Sequence, residues 1–286
     1  MTAPAVPSPV NPTKAIGWTV AFLASGTVLS VAAYMALDLL GSPVSSTLSD
    51  ALFQSVAMLL AFGAATWAIG IRGAGLGRRE LRWAPAGVGW PSLLLGVGLG
   101  AAPAFVALGA GVIAGGAFWS LDGGSQLDWL WTATRTGAVL LPAALAEEVV
   151  FRGVPLVLLA GVIGKWRAAI LLATLFGSAH LLNPGVTWLA LANITLAGVF
   201  LSACFYLPGG LWTATGAHLG WNLGLAALAA PVSGVPLNMP WLDYAPGGPD
   251  WLTGGAFGPE GGILATLIFL AMTTLVVRRV QQGRQA

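Results

Sequence analysis

Long runs of apolar residues, separated by short polar segments, are the feature of this chain that most limits how it can fold. Most of the runs approach or exceed the roughly 20 residues that a helix needs to cross a bilayer. They cover, to within a few residues, 15–40, 50–71, 90–118, 136–160, 166–183, 186–207, 211–230 and 261–277. Because backbone polar groups in lipid must find partners within the protein, this pattern predicts an all-α, polytopic transmembrane helical bundle of about eight spans.

The composition agrees with a membrane protein of this kind. Hydrophobic residues make up 57% of the chain and charged residues only 8%, and the mean hydropathy is +0.83. A soluble domain of 286 residues needs more polar surface than this. We expect a short, proline-rich, disordered cytoplasmic tail at residues 1–14, followed by a single transmembrane domain at residues 15–280.

The charged residues of the loops predict the orientation of the spans, since loops rich in Lys and Arg stay on the cytoplasmic side. The basic residues fall in alternate loops and at both ends of the chain: Lys14, Arg72, Arg78, Arg79, Arg82, Lys165, Arg167, Arg278, Arg279 and Arg284. The other loops hold one basic exception, Arg135, and the acids Asp38, Asp50, Asp122, Asp128, Asp243, Asp250 and Glu260. This alternation predicts that both termini are cytoplasmic.

Tryptophan and cysteine both have plain structural interpretations here. Eight tryptophans lie near predicted span ends, as interfacial aromatic belts do: Trp18, Trp67, Trp90, Trp119, Trp129, Trp131, Trp166 and Trp212. Cys204 is the single cysteine, so neither an intramolecular disulfide nor a zinc–thiolate cluster can form. The twelve basic residues form no continuous stripe of the kind that binds nucleic acid.

A few polar residues lie inside the apolar runs, where they are costly. A charge in the middle of a membrane costs about 2.5–3.5 kcal/mol on insertion scales, so such residues are candidates for function. The six candidates are Glu147, Glu148, Arg152, His180, His218 and Asn222.

Helical geometry separates the roles of the two adjacent glutamates. Glu148 and Arg152 are four residues apart and share a helix face, so they can form an ion pair that lowers the cost of burying both. Glu147 is rotated by about 100° from Glu148 and has no partner within its own helix, so it can face a cavity or another helix. The alternative is that all three groups form one structural network, which would leave one carboxylate uncompensated.

The two histidines of the chain both fall within predicted spans, next to small residues that permit close approach of other helices. A histidine in an apolar helix is commonly a hydrogen-bonded packing residue, but finding both within spans favours function. His218 and Asn222 are four residues apart, so their side chains project in the same direction and can converge on one oxygen atom.

These residues form three motifs that resemble those of a known family. In chain order the motifs are Glu147-Glu148-x-x-x-Arg152, Phe176-x-x-x-His180 and His218-x-x-x-Asn222. Together they resemble the CAAX prenyl protease and bacteriocin-processing (CPBP) family of intramembrane glutamic endopeptidases. The resemblance covers about residues 143–230, and elsewhere the chain is similar to that family only in being apolar.

The resemblance implies a hydrolase that cleaves peptide bonds of membrane-associated proteins or peptides. By the same resemblance, Glu147 and His180 activate a water molecule, His218 and Asn222 stabilise the oxyanion, and Glu148 and Arg152 support the site. General chemistry agrees, because an unpaired carboxylate in a poorly solvated site is a stronger base, and donors aimed at developing charge are a large catalytic term.

We expect no metal or other cofactor, although zinc is an alternative. His180, His218 and a glutamate could supply three ligands and leave one position open. The chain lacks His-Glu-x-x-His, and the resemblance gives the two histidines separate roles.

Two other functions would also keep polar residues in the spans. A proton-coupled transporter would use Glu and His as a relay, but it should show inverted repeats and paired broken helices, neither of which is evident. A non-catalytic membrane scaffold would be expected to have lost a motif residue, and none is missing.

The sequence also predicts where the protein is located and what surrounds it. The short tails and the Ala, Gly and Trp bias are those of a multi-pass protein of a bacterial inner (plasma) membrane, with the lipid bilayer and a membrane-associated peptide or protein substrate as partners. The residues leave the substrate and the oligomeric state open. We predict that Asn193 bonds between helices, that residues 254–262 are a flexible loop, and that the site opens toward the cytoplasm.

Overall fold

The computed structural model describes residues 11–39 and 47–283. Three parts of the sequence predictions lie outside those ranges: residues 1–10 of the proposed tail, residue 40 at the end of the first predicted span, and Arg284. Within the described ranges the chain folds as a helical bundle with one small sheet.

The helices differ in length, and some are short or broken. In chain order they are α1 (Pro12–Leu39), α2 (Thr47–Ala65) continued by a π-helix (Thr66–Gly73), α3 (Ala86–Ile113), α4 (Gln126–Arg152), α5 (Val154–Ile163), α6 (Lys165–Ser178), α7 (Trp188–Phe205), α8 (Leu211–Ala226), α9 (Asp250–Thr253) and α10 (Ile263–Gln282). The strands are β1 (Ala117–Ser120) and β2 (Asp243–Pro246), and two 3₁₀ turns, Gly255–Phe257 and Pro259–Gly261, precede α10.

Five helical segments in the described ranges are long and apolar enough to cross a membrane. They are Pro12–Ala36, Ser49–Gly73, Ala86–Ile113, Trp188–Phe205 and Ile263–Gln282. The predicted fourth, fifth and seventh spans are not among them. α6 has only 14 residues and α8 only 16, and α4 carries the buried charges. The count of eight spans and the orientation of the chain therefore remain predictions.

The predicted fourth span, 136–160, is two helices instead of one. α4 ends at Arg152 and α5 begins at Val154, with Gly153 between them at φ −73° and ψ −123°. A Cβ atom at Gly153 would lie 2.4 Å from the carbonyl oxygen of Val149, so only glycine fits this break. The break follows directly on the two glutamates and the arginine.

The sheet was not predicted, because the sequence indicated helices alone. β1 and β2 pair antiparallel, with Ala117 opposite Pro246 and Ser120 opposite Asp243. Each strand has only four residues, and the two are far apart in the chain. Segments this short carry too few alternating positions to indicate a strand.

Helices α3 and α8 pack backbone against backbone through glycines. A Cβ atom added at Gly100 of α3 would lie 1.9 Å from the carbonyl oxygen of Ala217, and one at Gly216 of α8 would lie 2.1 Å from that of Leu93. Gly96 and Gly220 make equally close approaches. This is the small-residue packing by which membrane helices associate, and it fixes α8, which carries His218, against α3.

The segment between α8 and α10 is tied to the bundle by tryptophans and by one asparagine. The indole nitrogens of Trp119 and Trp129 each donate, at 2.7 Å, to the carbonyls of Leu228 and Ala227 at the end of α8. Asn193 of α7 is fully buried and bonds the carbonyls of Glu260 and Gly262 and the hydroxyl of Thr266 in α10. The predicted interhelical role of Asn193 is confirmed.

The glycine-rich segment at residues 254–262 is buried, apart from Ala256, and so differs from the predicted plain loop. Gly254 has φ +87°, and a Cβ atom there would lie 1.7 Å from the carbonyl oxygen of Gly258. The glycines permit a tight fold that packs inside the protein, because no side chain separates its turns.

Candidate active site

The end of α4 carries a buried ion pair. Nη1 of Arg152 lies 3.0 Å from Oε1 of Glu148, and the two side chains are 1% and 0% exposed. The predicted pairing of these residues is confirmed. The spacing of four within one helix accounts for it, because side chains at that spacing lie on the same face.

Arg152 also connects α4 to two other helices. Its Nη2 donates to the carbonyl of Gly198 in α7 at 2.9 Å, and its guanidinium lies 4.7 Å from the ring centroid of Phe176 in α6. A buried guanidinium is tolerated when its donors are satisfied and its charge is compensated. Arg152 thus holds the end of α4 in a fixed place between α6 and α7.

His218 of α8 contacts both glutamates. Its Nδ1 lies 2.9 Å from Oε1 of Glu148, and its Nε2 lies 3.7 Å from Oε2 of Glu147. An ionised carboxylate only accepts hydrogen bonds, so Nδ1 of His218 is the donor in the first contact. Glu148 therefore orients the imidazole as well as compensating Arg152, a contact that the sequence did not reveal because it joins two helices.

Glu147 differs from its neighbour in exposure and in partners. Its side chain is 31% exposed, yet Oε2 is buried and makes no hydrogen bond to any described residue. The 3.7 Å to His218 is too long for a hydrogen bond. Glu147 makes no ion pair within α4, as its position on the helix predicted, and its carboxylate is available to a further group.

His180 lies beyond the end of a helix, not inside one. The sequence placed it within a span at 166–183, but α6 ends at Ser178 and His180 belongs to the turn that follows. Its backbone N–H bonds the carbonyl of Gly177 at 3.0 Å, which tightens the last turn. Pro184 disfavours helical backbone at the residue before it, so the helix cannot continue far.

The tautomer of His180 follows from its hydrogen bond. Nδ1 lies 2.8 Å from the carbonyl oxygen of Phe176. A carbonyl oxygen can only accept, so Nδ1 carries the proton, and in the neutral ring Nε2 has a free lone pair. The ring is partly buried.

Phe176 connects the two histidines. Its ring centroid lies 4.9 Å from that of His180 and 5.9 Å from that of His218, both in edge-to-face geometry. Such contacts stabilise aromatic pairs by about 0.5–1.5 kcal/mol beyond the burial of their area. The phenylalanine of the second motif therefore holds His180 beside the α4–α8 charge cluster.

Asn222 is the one candidate with no contact to the others. It lies one turn beyond His218 on α8, is partly buried, and makes no side-chain hydrogen bond within the described part of the chain. The structure thus joins Glu147, Glu148, Arg152 and His218 directly, adds His180 through Phe176, and leaves the Asn222 amide unbonded.

A second buried acid of the described residues, Glu260, lies outside the six candidates. The sequence assigned it to an outer loop, but it is 2% exposed. Its Oε1 accepts from the indole of Trp221 at 3.0 Å, and its Oε2 accepts from the backbone N–H and, at 3.1 Å, the hydroxyl of Ser233. Burial raises the pKa of the Glu260 carboxyl, and these hydrogen bonds offset part of that rise.

Glu260 connects the segment after α8 to the turn that holds His180. Asn183, three residues after His180, donates from its side chain to the carbonyl of Ser233 at 2.8 Å. Trp221, which Glu260 also binds, is the neighbour of Asn222 in α8. The only sequence signal was a single acid within a glycine-rich run directly before an apolar helix.

The described residues contain no group of three or more His, Cys, Asp or Glu side chains arranged to hold a metal ion. Glu148, the most buried acid of the cluster, is already bonded to Arg152 and His218.

Residues 129–224 match the family model described as type II CAAX prenyl endopeptidase Rce1-like. The matched segment is about a third of the chain, and it runs from the start of α4 to near the end of α8. All six candidate residues lie inside it. No curated protein matches the chain.

Proposed function

Since the segment from α4 to α8 matches the model of the Rce1-like type II CAAX prenyl endopeptidases, we propose that this chain is an intramembrane glutamic endopeptidase. The family supports a CAAX-type intramembrane protease, and the five apolar helices support an integral membrane protein. The finer proposal is that a glutamate and a histidine activate the water that hydrolyses peptide bonds of membrane-associated proteins or peptides.

The observation that carries this proposal is that two adjacent glutamates differ in burial and in their partners. Glu148 is fully buried and its Oε1 bonds both Arg152 and His218, whereas Glu147 is partly exposed and has only the 3.7 Å contact to His218. The Oε2 atoms of both glutamates lack a hydrogen-bond partner among the described residues. A site that requires a base needs one carboxylate free to take a proton, while its neighbours hold the geometry.

In the proposed reaction, Glu147 takes a proton from water as the water oxygen attacks the carbonyl carbon of the substrate. The lone pair of Nε2 of His180 accepts the other O–H of that water and so orients it. A tetrahedral oxyanion forms. Its collapse breaks the C–N bond, and the proton held by Glu147 passes to the leaving amine nitrogen.

His218 and Asn222 are the proposed donors to the oxyanion. Nδ1 of His218 already donates to Glu148, so Nε2 can donate only in the imidazolium form. Two carboxylates, one guanidinium and one imidazolium make a neutral cluster, which favours that form within the bundle. A donor of this kind contributes about 3–4 kcal/mol to transition-state stabilisation.

Glu148 and Arg152 are proposed as supporting residues. Glu148 fixes the orientation of the His218 ring, and Arg152 fixes Glu148. Carboxylates that hold a functional imidazole in this way set both its tautomer and its direction. We propose that the reaction uses no metal ion, since each polar group of the cluster has a role in the scheme above.

The first test compares new protein amino termini in membranes of cells that make the wild-type chain or Glu147→Gln at equal abundance. We expect a defined set of cleavage products to be absent from the mutant. The matched control is Asp243→Asn, an exposed acid of β2 outside the site, which should leave the products unchanged. Identical profiles for wild type and Glu147→Gln would contradict the proposal.

The break between α4 and α5 is a feature that transporters also use, because interrupted helices line their substrate sites. A proton-coupled transporter would move substrate without cleaving it. Proteoliposomes distinguish the two functions: a peptidase releases peptide fragments with no proton gradient, whereas a transporter accumulates intact substrate and depends on the gradient. A non-catalytic scaffold would do neither.

A further inference from the structure

A large cavity lies apart from the candidate active site, on the face predicted to be cytoplasmic. Its volume is about 2050 Å³. Its walls come from the turn after the π-helix, from α5 and α10 near their carboxyl ends, and from the ends or starts of α3, α6, α7 and α8 that meet there. None of the six candidate residues lines it, so the cavity is a feature that the proposed peptidase activity does not explain.

Basic side chains from several elements converge on this cavity. They are Arg78, Arg79, Arg82, Lys165 and Arg279. Among the described residues that line it, Glu80 is the single acid, and Oε2 of Glu80 accepts a hydrogen bond from the backbone N–H of Gly77 at 2.9 Å. The cavity therefore has a strongly positive lining, although the whole chain has a net charge of only +2.

Two of the five basic residues have structural contacts. Arg82 donates to the carbonyls of Phe205 and Leu207 at 2.9 and 2.8 Å and so caps the carboxyl end of α7. Lys165 lies over the aromatic rings of Trp166 and Tyr206, at 4.7 and 5.2 Å from their centroids.

The other three basic residues are exposed arginines. Within the described ranges, the side chains of Arg78, Arg79 and Arg279 make no hydrogen bond or ion pair with the protein. Two lie in the turn before α3 and one in the last turns of α10, so the fold brings them to one cavity from separate elements. Their charges are left for an anion from outside the chain.

The rest of the lining is apolar and lies further along the helices. Leu95 and Leu99 of α3 and Met272 and Val276 of α10 contribute to it, about one to four turns from the helix ends nearest the charges. The indole of Trp83 lines the cavity near the turn, as expected at the level of lipid headgroups. A ligand that matches both parts has an anionic head and an apolar tail.

We propose that this cavity binds an anionic phospholipid of the surrounding leaflet, with its phosphate near Arg78, Arg79 and Arg279 and an acyl chain along α3 and α10. Basic pockets between membrane helices on the cytoplasmic side bind such headgroups. A zwitterionic lipid would leave the three arginines without net compensation.

The test uses the purified full chain in detergent, titrated with phosphatidylglycerol or phosphatidylcholine of identical acyl chains and observed by native mass spectrometry. We expect one phosphatidylglycerol molecule to bind at a lipid concentration well below that at which phosphatidylcholine binds. Replacing a basic residue at such a surface weakens binding about fivefold, so Arg78→Gln/Arg79→Gln/Arg279→Gln should lose about 100-fold in affinity.

The matched control removes the same charge from the same predicted face. Arg72, Arg167 and Arg278 are exposed and do not line the cavity, so Arg72→Gln/Arg167→Gln/Arg278→Gln should bind phosphatidylglycerol nearly as the wild type does. If a triple variant does not fold, the neighbours on α10 give the same comparison, with Arg279→Gln weakened about fivefold and Arg278→Gln unchanged.

Four results would overturn the proposal. Equal losses in the two triple variants would mean general surface attraction, and equal binding of the two lipids would mean a cavity that does not select charge. Glycerol phosphate that binds as tightly as the lipid would mean a site for a free anion. An acidic peptide that binds in the absence of lipid, and loses affinity in the cavity variant alone, would mean a peptide site.

Discussion

Gly100→Ala tests whether the contact between α3 and α8 sets the position of the candidate site. The new Cβ atom would lie 1.9 Å from the carbonyl oxygen of Ala217 and 2.6 Å from the backbone nitrogen of Trp221. Real Cβ atoms keep at least 3.0 Å from such atoms, so the two backbones must separate by about 1 Å. Ala217 is the residue before His218, which makes α8 the helix whose shift matters for catalysis.

The expected size of the effect follows from that displacement. A misplacement of about 1 Å in a catalytic group can lower the rate about 100-fold, and overpacking of this kind costs about 1–3 kcal/mol of stability. We therefore expect Gly100→Ala to lower kcat/KM by about 100-fold while the protein remains helical. His218 would move away from Glu147 and Glu148, its partners on α4.

The assay is cleavage, by reconstituted protein, of a peptide that contains a cleavage site found by the comparison of amino termini. Circular dichroism and thermal unfolding monitor the folded state. Gly98→Ala is the control, because Gly98 is on the same helix and has no atom within 4 Å of the position of its Cβ. If Gly100→Ala cleaves as fast as Gly98→Ala with both folded, α3 does not position α8 and the reasoning is wrong.

Three further predictions concern the buried charges and the absence of metal. Arg152→Gln should leave Glu148 buried without its ion-pair partner and lower the free energy of unfolding by about 3–5 kcal/mol, as measured in a denaturant titration. Arg135 is exposed, so Arg135→Gln should have little effect in the same titration. The pKa of Glu260 is raised by folding. Its contribution to stability is therefore fully present below its unfolded pKa of about 4.3 and is lost as the pH rises through its folded pKa. Thermal unfolding at several pH values should show this loss in the wild type and not in Glu260→Gln. Peptide cleavage should survive dialysis against a strong chelator, and loss of activity that added zinc restores would support the zinc alternative.

Some of the site could be predicted from the sequence because it depends on one helix alone. The pair Glu148–Arg152 follows from the rotation of about 100° per residue, which places positions four apart on one face whatever surrounds them. The same rotation separates Glu147 from that pair. The long apolar helices α1, α2, α3, α7 and α10 are likewise local features, since length and hydropathy suffice to indicate them.

Other parts of the site depend on contacts between elements that are distant in the chain. Oε1 of Glu148 is shared between Arg152 and His218 because α8 lies against α4. Glu260 is a buried hydrogen-bonded acid because its glycine-rich segment folds back onto α8. No periodicity along the chain encodes these approaches.

The sequence by itself determined the membrane class and the resemblance to a family of intramembrane peptidases. It also determined which polar side chains lie within apolar runs and are therefore candidates for function. Tertiary structure decided which of those side chains meet. Distances between helices depend on how closely their backbones approach, and in this protein glycines at the α3–α8 contact allow that approach. A single methyl group at such a contact changes the geometry, so the arrangement is a property of the packed bundle and not of any one segment.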